Sequence, residues 1–387
     1  MPDTPPPVLS PPRHYLDHAS GTPMRPEAYE AMALWFAQAA DPGRVHTEGR
    51  TALQAIEGAR NHVGAYMGTS PRDVVFTGSA TEALNWCIFA ACGLTPTSRG
   101  PWGKRLLVSQ VEHTAVLAAA RAAAAKAKIE LIELPVDKTG IVQDFDIPPD
   151  TALVAVQHVN HETGVIQKVT DIHKKCQEHG TLLLTDACQS VGIPMPTADF
   201  LVISAHKLGG PPGIGALALR RRVRIDALFL GGEQELGRRA GGENVAGAVG
   251  FGHACTLEIP DTTSLRDQLI AGISTLRGVE IFGASVNRAP HILGCSVAEC
   301  SGEGLLIGMD NAGITLNSGS SCASGHLEPS HVHYAIGANA DTSLRFSFGW
   351  TSTKADVDAV LVALPPLAER LRRLRTTPIS SQHWNNI

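Results

Sequence analysis

The stretch SAHKLGGPPGIGAL (204–217) places a single lysine, Lys207, directly after the apolar run Phe200-Leu201-Val202-Ile203. A lysine is costly to bury and normally lies in solvent. At the end of a buried strand it points into whatever lies above the sheet. A carboxylate holds the matching place one strand earlier, where Asp186 closes TLLLTD (181–186). Neighbouring parallel strands would bring both side chains to one rim. A structural ion pair is one outcome of that placement.

Two further strand ends point to chemistry. After DVVFT (73–77) comes Gly78-Ser79-Ala80-Thr81-Glu82, small residues and hydroxyls that open a helix. Such a helix start is a ready phosphate site, although it also reads as an ordinary N-cap with an acidic first turn. Ser204 and His206, on either side of Lys207, add two phosphate donors. His113 follows RLLVSQVE (105–112) and is placed to stack on a flat ring; a lone histidine is as easily a satisfied core residue, so it counts only within the set. The glycines after Lys207 permit close backbone approach. Amine, acid and phosphate donors together suit pyridoxal phosphate (PLP). The lysine would form a Schiff base and the acid would pair with the pyridinium nitrogen, making the ring an electron sink.

The elements needed to position these groups are legible. Short apolar runs at 73–77, 105–109, 129–134, 152–157, 181–186, 200–204 and 214–219 predict strands. Helical stretches at 81–91, 115–127 and 171–179 fall between them. This alternation predicts an α/β fold with a mainly parallel sheet, whose ligands bind beyond the carboxyl ends of the strands. From about 250 the texture changes. Helices are predicted at 264–277, 303–312 and 355–373, with strands near 279–282, 292–297 and 344–347. The expected division is a disordered lead-in over 1–14, a large domain over 15–250, and a smaller α+β domain over 251–387 on which the N-terminal segment packs.

Bulk properties exclude several classes. The chain has 387 residues, 43% hydrophobic and 18% charged, with a net charge of −5, which suits a soluble globular protein and argues against coating nucleic acid or anionic membrane. No apolar run is long enough to span a bilayer. The proline-rich start lacks the apolar core of a secretory signal. Eight cysteines show no C-x-x-C pair or zinc spacing, so reduced thiols in a cytoplasmic setting are expected. Most fall in apolar stretches and are expected in the core. Cys322 differs: it lies in NSGSSCASG (317–325), where small polar residues predict a mobile, solvent-reachable loop and a reactive thiol.

Taken together, YLDHASGTP (15–23), FTGSATEALN (76–85), VEHTAVL (111–117), HVNHETGVIQ (158–167), TDACQSVG (185–192), SAHKLGGPPGIGAL, GGEQELGRRAGGENV (231–245) and SGSSCASGHLEPSHV (318–332) resemble the PLP-dependent cysteine desulfurases of the iron–sulfur-cluster type. These belong to fold-type I, aminotransferase class V. The resemblance runs from about Tyr15 to about Val362. It implies a seven-stranded, mainly parallel sheet in the large domain and PLP as cofactor. It implies that Lys207 carries the cofactor and moves protons, Asp186 meets the ring nitrogen, Gln189 meets the phenolic oxygen, and His113 stacks on the ring and assists proton transfer. Ala80, Thr81, Ser204 and His206 would hold the phosphate. Arg345, in SLRFS, would take the substrate carboxylate through its planar fork. Cys322 would be the nucleophile that accepts sulfur from L-cysteine as a persulfide, leaving L-alanine.

Four places depart from the family pattern. His161 stands where an asparagine usually lies near the phenolic oxygen. Gly242 replaces a threonine that reaches the partner subunit's phosphate. Asp41-Pro42-Gly43-Arg44 replaces Asn-Pro-Ser-Ser, and the segment 251–285 is short. These leave open a selenocysteine lyase or another class V aminotransferase or lyase, and a weakly active sulfur-relay or scaffold-binding paralogue. The resemblance implies a homodimer in which Arg238, Arg239 and the following loop cross to the partner. It also implies a sulfur acceptor, an iron–sulfur scaffold or a route to tRNA thiolation, without direct nucleic-acid or membrane binding. Arg370, Arg372, Arg373 and Arg375 on the last helix form either a basic docking patch or a solvated helix end.

Overall fold

The computed structural model describes residues 13–39, 41–220, 223–318, 322–323, 326–327 and 330–376. The expected lead-in therefore lies almost wholly outside the described residues. Seven strands make the main sheet, in the order Val74–Thr77, Gly215–Leu219, Phe200–Ser204, Leu182–Asp186, Thr151–Ala155, Arg105–Ser109, Glu130–Leu134. Only Gly215–Leu219 runs against the others. It follows its neighbour Phe200–Ser204 through a short connection with no crossover helix, and so must return antiparallel. That short connection carries Lys207.

Four of these strands are buried along their whole length, as a sheet covered on both faces requires. On one face the helices Ala80–Ala91 and Thr114–Ala127 pack through Leu84, Trp86, Ile88, Val116 and Ala120. On the other lie Thr47–Met67 and Val245–Ala254, with Ile56, Val63 and Phe251 in the core. Sequence reading assigned neither of this second pair, nor Pro26–Phe36. Their inward residues are largely alanine and glycine, which give weak hydrophobic periodicity but allow close helix crossing. A β-carbon on Gly252 would come within 2.6 Å of the Ala59 backbone.

A second, antiparallel sheet joins Val279–Ile281, Ile292–Val297 and Ser343–Ser347. Helices Thr263–Ile273, Gly302–Asn311 and Lys354–Thr376 cover it over Leu293, Phe346 and Leu364. The first of these ends earlier than the sequence suggested. The chain's beginning threads this region: His14–Tyr15 pairs with Ile314–Thr315, and Asp17 bridges to Ser347. Of the arginines expected on the last helix as either a docking patch or a solvated helix end, Arg372 fits neither reading. Arg372 is 6% exposed and turns inward to Glu369 and to the carbonyls of Ala298 and Arg277. The Arg375 side chain lies outside the described residues. Among the described residues no helix is long and apolar enough to cross a membrane.

Candidate active site

The strand ends converge on one cleft of about 360 Å³, within the range of small-molecule sites. Lys207, Asp186 and Gln189 line it, as do Ala80, Thr81, Ser204 and His206, and so do His113, His161 and Arg345. Leu182–Asp186 and Phe200–Ser204 are adjacent parallel strands, which is why the acid and the amine share a rim. Lys207 sits one turn beyond its strand, in the 3-10 segment Ala205–Lys207.

Lys207 Nζ donates to the carbonyls of Ala19 and Ser20, the latter at 2.7 Å. Gln189 Nε2 donates to the same Ala19 carbonyl at 2.8 Å. The segment 17–20 thus lies across the cleft and holds the amine in place. Burial pushes the Lys207 ammonium down to about 8, with Arg345 acting in the same direction and Cys188, Asp186 and Asp17 opposing. At neutral pH a minor fraction of this amine is already uncharged, and above about 8 most of it is, which suits a nucleophile and a base.

An anion cradle stands beside it. Ser79 caps the helix Ala80–Ala91 by accepting from the Glu82 N–H at 3.1 Å. The first N–H groups of a helix have no intrahelical acceptor, so those of Ala80 and Thr81 are available at the cleft. Gly215 lets the helix start sit so close: a β-carbon there would lie 2.7 Å from Ala80 N. Ser204 Oγ is 2.8 Å from His206 Nδ1. Burial, then Lys207, lowers His206 to about 4, so its ring is neutral at working pH.

His113 caps the helix Thr114–Ala127, its Nδ1 accepting from the Ala115 N–H at 3.1 Å. Its ring opens onto the cleft yet is packed among protein groups. That desolvation, with His161 next, pushes it down to about 4. His113 and His161 meet edge to face, with centroids 5.1 Å apart. His161 Nε2 lies 3.3 Å from Glu162 Oε1.

Arg345 is 5% exposed. It donates to the Asp17 carboxylate at 2.7 Å, Ser20 Oγ at 2.6 Å and the His161 carbonyl at 2.9 Å. Sequence reading had Arg345 but missed Asp17 and Ser20, whose only signal was their place in YLDHASGTP. Cys188, expected in the core, is instead half-buried and lines the cleft. Burial, then Asp186, holds its thiol well above the ordinary range, which keeps it inert. Gly242 does not line this cleft; it borders a separate cavity of about 190 Å³ with Gly78 and Arg239. Cys322 is in a two-residue strand, Cys322–Ala323, paired with His326–Leu327. The reachability expected for its thiol lies outside the described residues.

The cleft fits PLP on its own terms. Two buried polar atoms, His161 Nδ1 and Arg345 Nε, have no hydrogen-bond partner among the described residues. Leaving such groups unpaired costs about 1–3 kcal/mol each, a cost that a bound polar ligand removes. A neutral amine, an acid and an anion cradle surround them.

Comparison with known proteins agrees. The Aminotransferase class-V family model matches residues 14–360. The chain is 37% identical over 381 residues to "Cysteine desulfurase IscS" of Dictyoglomus turgidum, covering 93% of this chain and 95% of that protein. Among solved structures, a "NifS-like protein" superposes with a TM-score of 0.80 at 27% identity, covering 94% of this chain and 99% of that one. "SspA in complex with cysteine" superposes with a TM-score of 0.76 at 29% identity, covering 87% and 98%.

Proposed function

The chain belongs to the class V aminotransferases and, within them, to the cysteine desulfurases, and we propose that it converts L-cysteine to L-alanine while keeping the sulfur as a persulfide on Cys322. PLP is the cofactor of this family. When bound it withdraws electrons from the substrate's Cα. Lys207 and Asp186 on one rim, facing the anion cradle of Ala80, Thr81, Ser204 and His206, are the observation that carries the reading.

In this reading Asp186 and Gln189 would hold the ring, and His113 would stack on it. Arg345 takes the substrate carboxylate on its unpaired Nε edge, with Ser20 and Asp17 fixing the fork. Lys207, partly neutral, removes the Cα proton and later returns one to the product. The Cys322 thiolate attacks the substrate sulfur. The S–S bond forms as the Cβ–S bond breaks, and the electron pair left on carbon takes a proton. Atoms balance: cysteine and a thiol become alanine and a persulfide. Incubation with L-[35S]cysteine should leave label on the protein that dithiothreitol releases. Label recovered only as free sulfide, with none on protein, would favour a lyase. A strong preference for selenocysteine would favour the selenocysteine lyase.

Arg345→Lys should raise KM for L-cysteine by about tenfold or more, because an ammonium cannot reproduce the guanidinium fork. An unchanged KM in steady-state alanine assays would remove Arg345 as the carboxylate site.

The finer reading has three parts. Large apolar side chains stay open on two segments, including Leu34, Phe36, Val45, Leu230 and Leu236, which supports a homodimer completed across that face. Seven free cysteines among the described residues support a reducing, cytoplasmic setting. The persulfide then passes to an acceptor, either an iron–sulfur scaffold or a tRNA-thiolation partner. In the dimer Gly242 faces the partner's cradle with only its backbone. A β-carbon at Gly242 meets nothing within 4 Å, so Gly242→Thr should fold normally. It should tighten PLP binding by about tenfold, the worth of one hydrogen bond to an anion. An unchanged PLP dissociation constant, titrated by absorbance, would show that this loop does not reach the cofactor.

A further inference from the structure

We propose that Glu162 is a positioning residue that fixes the tautomer of His161, so that His161 offers the cleft an acceptor nitrogen, Nδ1, and takes ligand groups that bring their own hydrogen. The inference rests on the reading above for what the ligand is, but not for the tautomer itself.

Glu162 is 3% exposed and sits in a rigid turn. Asn160 Oδ1 accepts from the backbone N–H groups of Glu162 at 3.0 Å and Thr163 at 2.8 Å. The carboxylate is shared between two imidazoles. Oε1 lies 3.3 Å from His161 Nε2, and Oε2 lies 3.3 Å from His333 Nε2. Ser330 Oγ donates to Oε2 at 2.5 Å. Burial pushes the Glu162 carboxyl up, but His161, His333 and Ser330 outweigh it and hold it below its ordinary value. The group is therefore ionised and can only accept.

An acceptor between two rings requires an N–H from each. A neutral imidazole has one proton to give, so a ring that donates from Nε2 is bare at Nδ1. The structure shows the corresponding pattern twice. Nδ1 of His161 and Nδ1 of His333 are both buried without a hydrogen-bond partner among the described residues. His161 lines the cleft and His333 does not, so of the two rings only His161 stands where a ligand can meet it. The groups able to meet it are donors: a phenol that keeps its proton, a hydroxyl or an amine. An asparagine in this place can rotate its amide to donate; a histidine held by Glu162 cannot.

The test uses the full chain labelled with 15N at histidine, first without cofactor. His161 signals are assigned by their loss in His161→Asn. Wild type should show Nε2–H and a bare Nδ1, and Glu162→Gln should shift His161 to a mixture of tautomers. Wild type with Nδ1–H, or with both nitrogens protonated, would overturn the proposal without any variant being needed. In the loaded enzyme, Glu162→Gln should lower kcat/KM by about tenfold alone and less than twofold in the His161→Asn background. Equal losses in both backgrounds would make Glu162 merely structural. A protein that shows the tautomer but forms no alanine would overturn the desulfurase reading and leave this one standing.

Discussion

Cys322→Ser should cut persulfide formation to background and alanine release from L-cysteine by about a thousandfold or more, while PLP still binds with unchanged absorbance. A hydroxyl is far less nucleophilic than a thiolate, and it cannot hold sulfur as a persulfide. No other described cysteine is placed to substitute. Burial lifts the Cys92, Cys176 and Cys295 thiols to about 12, Cys87 and Cys300 are buried as well, and Cys255, whose thiol burial also raises, does not line the cleft. Cys188 lines the cleft but is held in its neutral form. The assay is alanine release with a thiol reductant, run beside 35S retention. Equal alanine from both proteins would mean that sulfur leaves without this nucleophile.

Lys207→Ala should lower turnover by more than about a thousandfold, because in the proposed reading one side chain both anchors the cofactor and moves the proton. The visible band of covalently held PLP should vanish, and cofactor should wash out on gel filtration. The amine's lowered value adds a pH dependence. Below about 8 Lys207 is mostly charged and cannot attack an aldehyde; above it the neutral form dominates. Loading of cofactor-free protein should therefore speed up as pH rises through 8 and then level off. The sign for stability is the same. The unfolded lysine binds more protons than the folded one between about 8 and its ordinary 10.5, so the cost of burying its charge fades, and stability rises, as pH climbs through that window. A loading rate that is flat from pH 7 to 9 would show that Lys207 is not the attacking amine.

Much of the site was legible because its residues lie directly after apolar runs. Asp186 and Lys207 pair from strand order alone, and the structure places one at the end of a strand and the other one turn beyond the end of its parallel neighbour. The helix start at Ser79-Ala80-Thr81 was readable from its cap. What stayed hidden depends on distant partners. Nothing local in YLDHASGTP says that Asp17 and Ser20 will meet Arg345, because a contact between the ends of a chain leaves no periodic trace. The inward turn of Arg372 is invisible for the same reason: its acceptors are carbonyls of Arg277 and Ala298. The helix Val245–Ala254 escaped because glycine and alanine make its contacts by being small. Glu162 read as one more acid in HVNHETGVIQ until the fold set His333 against its other oxygen.

The strap of residues 17–20 sets a schedule for the molecule's birth. Its carbonyls and hydroxyl hold Lys207 and Arg345, so the site draws on the first, middle and last parts of the chain. At roughly 5–20 residues per second, Arg345 leaves the ribosome on the order of ten seconds or more after Lys207. Through that interval the lysine is exposed on a half-built cleft with no arginine to complete it. The nascent chain can fold its large sheet early, but it becomes an enzyme only once the strand Ser343–Ser347 has emerged and closed against Asp17.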